Sequence, residues 1–503
     1  MKRLIALALC LCFVLSACAQ TQSAEEQPSE PEPAVPSEPA VPSDPIAHTD
    51  VPPQIEALAL RLANCPKLPA EPDQKAYWAA LDQLDYNKLG AEKYQEESEK
   101  LSDAFYAEQE AYAKALEELR GTGVNPAVTP ALLACTEKLG RSMLTDRGIN
   151  GDLGRNAVCS PANLYLALCM LAETTDGESR EQILDLIGLD SLGQTRATAD
   201  QIWRTLWNES AAGKTLLANS IWLNEDMSYH EETVETLADA YYASSFRAPM
   251  GQKSTDAAIA EWINDNTGHL LEEAAGGLET TADTVMMLIS TLYFKNQWSS
   301  QFFEGATEED VFTNARGAEE KIDFMHQTMD RSSYIPGSGY KMASLRFRDG
   351  MSMRFLLPDE DRTLDSLLSD EAVFAAFLRG DGQQESAKLV WSVPKFDVDC
   401  DIDLIPTLAR AGLTDLFDPD RADFSPLSDT PSVVSAAKHA ARVKVDEEGC
   451  EAAAFTAFMA EATAYMPEEL PVVEMDLDRP FAFLITGTDG LPLFLAAVNT
   501  VAK

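Results

Sequence analysis

The stretch of the chain from Lys444 to Ala464 alternates between two kinds of position, as a strand does. Within this stretch, the run from Cys450 to Ala462 carries only uncharged and mostly small side chains on one parity: Cys450, Ala452, Ala454, Thr456, Phe458, Ala460 and Ala462. The other parity carries both glutamates of the run, Glu451 and Glu461. Because successive side chains of a strand point to opposite faces, the segment can bury one face and keep the other in water. Alanine is depleted in strands and Gly449 precedes the run, so the pattern indicates a loop that can become a strand.

Apolar runs elsewhere predict strands that lie inside a core. Residues 216–224 (LLANSIWLN) and 288–298 (LISTLYFKNQW) predict two central strands. FAFLI at 481–485 and PLFLAAV at 492–498 predict two closing strands. A helix is predicted at 136–146 (TEKLGRSMLTD), so helices and strands both contribute to the predicted core.

The first 53 residues carry two other patterns. Residues 1–17 combine Lys2 and Arg3 with an apolar run and small residues, which is typical of a signal peptide and too short for a membrane-spanning helix. Residues 18–53 repeat Ser-Glu-Pro and Ala-Val-Pro-Ser. This composition cannot bury enough apolar surface to fold, and it predicts a disordered tether.

Residues 54–125 predict a helical amino-terminal extension of a main domain at 126–503. An apolar stripe recurs there at helix spacing: Leu101, Phe105, Tyr112, Leu116 and Leu119. Glutamate and lysine fill the opposite face. A stripe of this kind is a packing face far more often than a ligand site, so no chemistry is predicted for the extension.

Composition excludes several classes of function. The formal net charge of −43 argues against nucleic-acid binding, because phosphates need lysine and arginine. Five dispersed histidines, and nine cysteines without a CxxC pair in the body of the chain, provide no metal motif. The sequence also lacks a GxSxG elbow. We therefore predict no cofactor, no metal and no enzymatic activity.

Two motifs near the carboxyl terminus carry a resemblance to a known family. The hinge pattern Glu-Glu-Gly-x-Glu-Ala-Ala-Ala is one continuous run: Glu447, Glu448, Gly449, Cys450, Glu451, Ala452, Ala453 and Ala454. The tail motif Asp-Arg-Pro-Phe follows at 478–481. With these motifs the chain resembles the serpins, protease inhibitors that insert a reactive-centre loop into their own sheet. Cys450 stands where the family usually has threonine, and it is small enough to insert.

The resemblance implies an α+β serpin fold, with a large mixed sheet A, smaller sheets, about eight or nine surrounding helices and an exposed reactive-centre loop. Further matches follow in chain order. Ser160-Pro161 opens a helix after a short strand. Residues 257–271 resemble the helix that crosses the family's main sheet, and residues 393–417 resemble a strand followed by a helix.

Leu15-Ser16-Ala17-Cys18 resembles the lipobox of bacterial lipoproteins. The resemblance implies cleavage before Cys18 and attachment of lipid to this cysteine. An ordinary secretory signal with an incidental cysteine is the alternative. We expect a bacterial protein anchored by lipid at the extracellular face of the membrane, with residues 18–53 as its tether.

The resemblance also assigns structural roles to buried polar residues. Ser160 and His439 match the shutter, a polar cluster that controls the opening of the central strands. The family's second serine falls at Asn163 and its strand asparagine at Ser290, so the two residue types are exchanged. Since both can donate and accept, we hypothesise that the exchange preserves the network and that His439 is a satisfied structural histidine. Trp298 matches the breach, where the loop first enters the sheet.

The function implied by the resemblance is inhibition of serine proteases as a suicide substrate. The target cuts the loop, and the cut loop inserts before the acyl-enzyme is hydrolysed. About fifteen residues at ~3.3 Å each would carry the protease on the order of 50 Å. The alternative is a non-inhibitory serpin that acts as a cell-surface binding protein. Phe455 keeps this alternative open, because a small residue is more typical at its position.

The cleaved bond is predicted by counting along the loop. A count of fourteen residues beyond Gly449 ends at Thr463, so Thr463–Ala464 is the favoured cleaved bond. The target is therefore expected to be an elastase-like protease. Tyr465 and Met466 remain alternatives that suit a chymotrypsin-like pocket. No lysine or arginine occurs between residues 444 and 479, which disfavours trypsin-like proteases. The expected partners are serine proteases, in a covalent complex, and the membrane; the protein is expected to be a monomer.

Overall fold

The structure is a computed structural model that describes residues 7–17, 55–59, 65–120, 128–145, 154–210, 213–450 and 470–502. Its strands form two sheets of nine strands each, here called sheet A and sheet B, with helices packed against them. No helix within these ranges combines the length and the apolar character that a bilayer crossing requires.

Sheet A follows the order β13-β14-β1-β7-β5-β6-β2, with β15 paired to β7 and β4 paired to β5. Its strands are β1 (Leu7–Ala17), β2 (Glu56–Ala59), β4 (Asn208–Glu209), β5 (Gly213–Asn224), β6 (Ala243–Ala248), β7 (Thr284–Gln297), β13 (Phe396–Asp403), β14 (Ser432–Val445) and β15 (Gly449–Cys450). The strands predicted at 216–224 and 288–298 are confirmed as parts of β5 and β7, and nearly every residue of both is buried.

The centre of sheet A contains a strand that the sequence does not predict there. β1 runs antiparallel to β14 on one side and to β7 on the other, with Leu11 opposite both His439 and Ser290. β7 and β14 are therefore parallel to each other and do not pair directly. The sequence predicts a signal peptide at 1–17. The structure adds that residues 7–17 of this segment form an 11-residue strand in the gap between β7 and β14.

Sheet B follows the order β16-β12-β9-β10-β11-β17-β18-β3, with β8 paired to β9. Its strands are β3 (Ala157–Cys159), β8 (Glu308–Thr313), β9 (Glu319–Gly337), β10 (Tyr340–Arg346), β11 (Ser352–Pro358), β12 (Glu385–Pro394), β16 (Val472–Asp476), β17 (Phe481–Thr486) and β18 (Pro492–Val498). The two closing strands predicted at 481–485 and 492–498 are confirmed as β17 and β18.

Helices cover both sheets. They are α1 (Gln74–Asp82), α2 (Tyr86–Leu89), α3 (Ala91–Arg120), α4 (Val128–Thr145), α5 (Pro161–Glu173), α6 (Gly177–Ile187), α7 (Leu192–Leu206), α8 (Glu231–Tyr241), α9 (Lys253–Asn266), α10 (Glu272–Gly276), α11 (Leu364–Ser369), α12 (Glu371–Arg379) and α13 (Ile405–Arg410). The crossing helix predicted at 257–271 is α9, which ends earlier than expected. Gly268 and His269 have φ values of 60° and 59°, and this left-handed turn stops the helix.

The amino-terminal extension is helical only in part, so the prediction for 54–125 needs correction. Its first described segment is the strand β2, which pairs with the edge strand β6 of sheet A. Helices begin at Gln74, and α1 packs on α3 through a Tyr77–Phe105 ring stack with centroids 4.4 Å apart. Arg204 of α7 donates from Nη1 to the Leu119 carbonyl at 3.4 Å. The extension therefore contacts the main domain through β2 and through the end of α3, and Cys65 and Leu68 also pack against the main hydrophobic cluster.

Candidate functional site: the gap in sheet A and its hinge

A tight turn follows β14 and starts the predicted hinge. The N–H groups of Asp446 and Gly449 each donate to the other's carbonyl at 3.3 Å. Gly449 has φ +119°, and an added Cβ would lie 2.5 Å from the Trp298 amide nitrogen, so only glycine fits. β15 then pairs antiparallel with β7, with Gly449 opposite Gln297 and Cys450 opposite Asn296.

Trp298 connects this turn to sheet B. Its Nε1 donates to the Asp446 carbonyl at 3.0 Å, and its backbone N–H donates to the Glu448 carbonyl at 3.1 Å. The buried indole stacks on Phe347 with centroids 4.5 Å apart and planes 8° apart. The residue that the resemblance assigns to the breach thus holds the first residues of the hinge.

Glu447, the first residue of the predicted hinge motif, has a carboxylate whose partners the sequence does not reveal. Lys395 Nζ lies 3.0 Å from Glu447 Oε2, and Thr307 Oγ1 donates to Glu447 Oε1 at 2.9 Å. Burial alone would raise the pKa of Glu447, but hydrogen bonds from its own backbone, Lys395 and Thr307 lower it overall. Burial raises the pKa of neighbouring Asp446 to about 6, against a hydrogen bond from the Glu448 N–H. Thr307 and Lys395 are distant in sequence, so no local pattern could have predicted them.

The structure brings the predicted shutter residues together beneath the gap. Asn163 Nδ2 donates to the Ser290 carbonyl at 2.9 Å, and the Ser290 hydroxyl donates back to Asn163 Oδ1. Ser160 caps α5 by accepting from the Asn163 N–H at 3.3 Å. Asparagine on the helix and serine on the strand therefore make a reciprocal pair, in which the Asn163 amide donates to the Ser290 backbone and accepts from the Ser290 hydroxyl.

His439 is fully buried on β14 and belongs to the same cluster. Its Nε2 accepts from the Ser160 N–H at 3.1 Å. Burial lowers the pKa of His439 to about 3, so the ring is neutral and its proton must be on Nδ1. That Nδ1 has no hydrogen-bond partner among the described residues. The hypothesis of a satisfied structural histidine therefore holds for Nε2 and fails for Nδ1.

The two faces of β7 pack against different parts of the core. Even-numbered residues such as Leu288, Leu292 and Phe294 belong to the main hydrophobic cluster. Of the odd-numbered residues, Met287 and Ile289 belong to a smaller cluster with Trp222 and with Ile259 and Trp262 of α9. Tyr293 belongs to the main cluster, but its ring lies against Gly268, just beyond the end of α9. A strand added beside β7 would therefore place alternate side chains towards the main core and towards α9.

Several predicted site residues lie outside the described part of the chain. These are Cys18 of the lipobox, the hinge residues Glu451, Ala452, Ala453 and Ala454, and the cleaved-bond candidates Thr463, Ala464, Tyr465 and Met466. Phe455 lies outside it as well. Within the described ranges, no group of three histidine, cysteine or acidic side chains is arranged to hold a metal ion.

The two-sheet architecture, the strand-accepting gap and the glycine hinge together define a class of protein whose central sheet can hold an added strand. A family model described as Serpin (serine protease inhibitor) matches residues 143–501. The chain belongs to the serpin family. The predicted α+β serpin fold is confirmed.

Similar proteins come from distant sources. Serpin-ZX of Arabidopsis thaliana is 28% identical over 363 residues, which cover 68% of this chain and 91% of that protein. Plasminogen activator inhibitor 1 of Neovison vison is 28% identical over 362 residues, covering 68% and 87%. Among solved structures, the thermophilic serpin Tengpin in its native state has a TM-score of 0.64 and 25% identity, covering 75% of this chain and 95% of Tengpin. An Arabidopsis serpin in the native stressed conformation has a TM-score of 0.63 and, at 23% identity, supports the fold alone.

Proposed function

We propose that this serpin inhibits serine proteases as a suicide substrate and that its targets are elastase-like. The observation that carries the proposal is the gap between β7 and β14, which accepts a strand antiparallel to both. A cleaved reactive-centre loop must make the same pairing to displace an acylated protease. Plasminogen activator inhibitor 1, one of the similar proteins, is an inhibitor by name.

The register of β15 supports the insertion of the loop. Gly449 and Cys450 pair with Gln297 and Asn296, so each further loop residue would pair one position earlier along β7. Continued to residue 452, this register reaches Phe294, where β1 begins its own pairing with Leu7. β15 and β1 therefore occupy consecutive parts of the edge of β7 that the inserted loop would cover.

The same register gives each loop side chain a neighbour on β7. Ala454 would pair with Leu292 and Ala453 with Tyr293. Both β7 residues belong to the main cluster, but the Tyr293 ring points to Gly268 at the end of α9. Glu451 would lie opposite Lys295, whose pKa is lowered to about 8 by burial and then by the charge of Lys214. An opposite charge across the strands favours the inserted state.

The length of β7 supports the predicted cleavage site. β7 has 14 residues, and in this register they would pair with residues 449–462. Thr463 is the first residue beyond them, so a protease attached at Thr463 would lie at the far end of sheet A. The Thr463–Ala464 bond therefore agrees with the count from the hinge and with the length of the sheet.

The proposal is tested by mixing the chain from residue 18 onward with an elastase and separating the products in detergent. We expect a covalent serpin–protease complex and a released carboxyl-terminal fragment whose mass places its first residue at Ala464. A fragment beginning after Tyr465 or Met466 would move the specificity to chymotrypsin-like proteases. Fast trapping of trypsin through this loop would refute the assignment.

The alternative is a non-inhibitory serpin that acts as a binding protein, and it predicts that no covalent complex appears on the gel. The loop would be cut and both proteins would stay free. Phe455 is the residue that favours this result, because the register pairs it with Thr291 on the side of α9. Phe455→Ala would then convert cleavage into trapping, whereas a true binding protein would remain a substrate.

We propose that the mature protein is anchored by lipid on Cys18 at the extracellular face of the membrane. The lipobox and the 18–53 tether support this location. Cys18→Ser should move the protein from the membrane fraction to the soluble fraction of cells that express it. Unchanged partitioning would leave an ordinary secretory signal as the better account.

A further inference from the structure

A polar cavity of about 490 Å³ lies where two strands of sheet B part. β9 pairs with β10 only from Tyr334 to Gly337. Earlier residues of β9 pair with β12, while β10 continues beside β11 as far as Arg346. The cavity fills this fork, and Gly380 and Gln384, which follow α12, also line it. We call it the fork cavity.

The lining of the fork cavity is cationic, although the chain is strongly acidic. β9, β10 and β11 contribute one arginine each: Arg331, Arg346 and Arg354. Hydroxyl groups lie between them, from Ser332, Ser333, Ser344 and Ser352. None of the described residues that line it is an aspartate or a glutamate. The sequence has 82 acidic and 39 basic residues. A cavity whose charged lining residues are all basic is therefore unusual on this molecule.

Two of the arginines share one face of the sheet. Ser344 pairs with Arg354 and Arg346 pairs with Ser352, so the two guanidinium groups are diagonal neighbours. Diagonal positions on paired strands are ~7–8 Å apart, within reach of long side chains. Like charges at this spacing repel each other, and an anion between them would remove the repulsion.

Arg354 is held rigidly with part of its hydrogen-bonding capacity unused. Its Nη1 donates to the Phe377 carbonyl at 2.8 Å and the Leu378 carbonyl at 3.2 Å, at the end of α12. Its Nη2 lies so close to Gly380 that an added Cβ would be 2.4 Å away. Burial lowers the pKa of Arg354, against the charge of Asp381. Nε and Nη2 make no hydrogen bond within the described part of the chain.

The other two arginines are exposed at the mouth of the cavity. Neither Arg331 nor Arg346 forms an ion pair with any described residue. The carboxylate beside Arg331, that of Asp330, is bound at 2.8 Å by Lys388 Nζ. Within the described ranges, no carboxylate forms an ion pair with any of the three guanidinium groups that face this space, and Asp381 acts on Arg354 only through its charge.

We propose that the fork cavity binds a small, multiply charged phosphate or sulfate compound. The fork of a guanidinium group matches the oxygens of such an anion with paired hydrogen bonds, and serine hydroxyls can donate to the same oxygens. The volume lies in the range of small-molecule sites and exceeds what a single oxyanion fills. The ligand therefore carries at least two anionic groups.

The test is isothermal titration of the full-length chain with pyrophosphate at constant ionic strength. We expect a dissociation constant below about 1 mM. Methanedisulfonate serves as the matched probe for sulfate chemistry, and the tighter of the two probes assigns the ligand class. Absence of binding by both probes would overturn the proposal.

A pair of double variants separates the site from the general charge of the surface. Arg331→Gln/Arg346→Gln should weaken binding by at least about tenfold, because it removes two of the three guanidinium groups. Arg348→Gln/Arg362→Gln removes the same charge from exposed arginines that do not line the cavity, and it should bind as the unmodified chain does. Equal losses in both double variants would mean that no site exists. Arg354 is left unchanged because it also holds the end of α12.

Discussion

Sheet A and sheet B each have nine strands, but their centres are built from different side chains. Every residue of β17 and β18 in sheet B is buried, and Thr486 is the only polar one. The central strands of sheet A are buried to a similar degree, yet they contain many polar residues: Thr215, Asn219, Ser220, Ser290, Thr291, Asn296, Gln297 and His439.

Some of these polar groups have unmet hydrogen-bonding capacity. Thr215 Oγ1, Asn219 Oδ1 and His439 Nδ1 have no partner within the described part of the chain. A buried group left in this state costs about 1–3 kcal/mol. Sheet A is therefore held less firmly than β17 and β18. Sheet B also has such groups, at Gln327 Nε2 in β9 and Trp391 Nε1 in β12. The difference therefore lies between the polar centre of sheet A and the apolar pair β17 and β18.

The largest effect should come from the strand that fills the gap. Because β1 lies between β7 and β14, a chain that keeps residues 1–17 has no room for its cleaved loop. We expect such a chain to be cut by an elastase without trapping it, whereas the chain from residue 18 onward traps it. The ratio of covalent complex to cleaved serpin on a denaturing gel measures the difference.

A backbone change provides the control for this prediction. Proline cannot donate a hydrogen bond to a sheet and is excluded from central strands. Leu9→Pro/Leu11→Pro should therefore release β1 from the gap and restore trapping by the full-length chain. If the full-length chain traps the protease without these changes, β1 does not block insertion.

The next largest effect should come from charge on the inserted face of the loop. Ala454→Arg would place an unpaired guanidinium beside Leu292 and the main core, at a cost of several kcal/mol, and delay insertion until water releases the protease. Cleavage should persist and trapping should be lost. The matched variant Ala453→Arg has the other parity and should still form the covalent complex. Equal trapping by both variants would refute the strand register.

The sequence predicts much of the fold, because the features that define it are local. The alternation at 450–462, the apolar runs of β7, β17 and β18 and the glycine of the hinge can all be read over a few residues. The structure adds the physical reason for Gly449, whose missing side chain lets the turn approach Trp298.

The rest depends on contacts between distant parts of the chain. The pairing of Glu447 with Thr307 and Lys395, the insertion of β1 and the strand formed by residues 56–59 follow from tertiary proximity. A hydrophobic leader also has the same pattern whether it crosses a membrane or joins a sheet. Sequence periodicity cannot distinguish these two environments.

A third prediction compares one residue from each sheet. Leu495→Ala in β18 removes fully buried apolar atoms and should lower the free energy of unfolding by about 2–5 kcal/mol. Since β18 contributes to the core before and after insertion, the folded fraction should trap proteases normally. Asn163→Ala breaks the hydrogen bonds to Ser290 and should lower the free energy of unfolding by about 1–3 kcal/mol. Unlike Leu495→Ala, it should also change the ratio of covalent complex to cleaved serpin. Urea unfolding and the gel assay together give both quantities. A trapping defect in Leu495→Ala that equals that of Asn163→Ala would erase the proposed division between the sheets.

The last expected effect is a pH dependence that originates in sheet A. Burial lowers the pKa of His439 to about 3, whereas an unfolded chain binds the proton near pH 6.5. The unfolded state therefore takes up more protons as the pH falls below about 6.5, and this contribution to stability is complete above that pH and is lost towards pH 3. The loss is about 1.4 kcal/mol per pH unit.

Asp446, whose pKa is raised to about 6, acts with the opposite sign: its contribution is present at low pH and is lost as the pH rises from 3.8 to about 6. His439→Gln in the full-length chain should remove only the pH dependence that His439 contributes. The difference in unfolding free energy between wild type and this variant should therefore shrink steadily from pH 6 to pH 4, because only wild type loses the His439 contribution. Asp446→Asn should give a difference that changes in the other direction over the same range. Parallel pH profiles for His439→Gln and wild type would show that the imidazole is not held neutral by burial in sheet A.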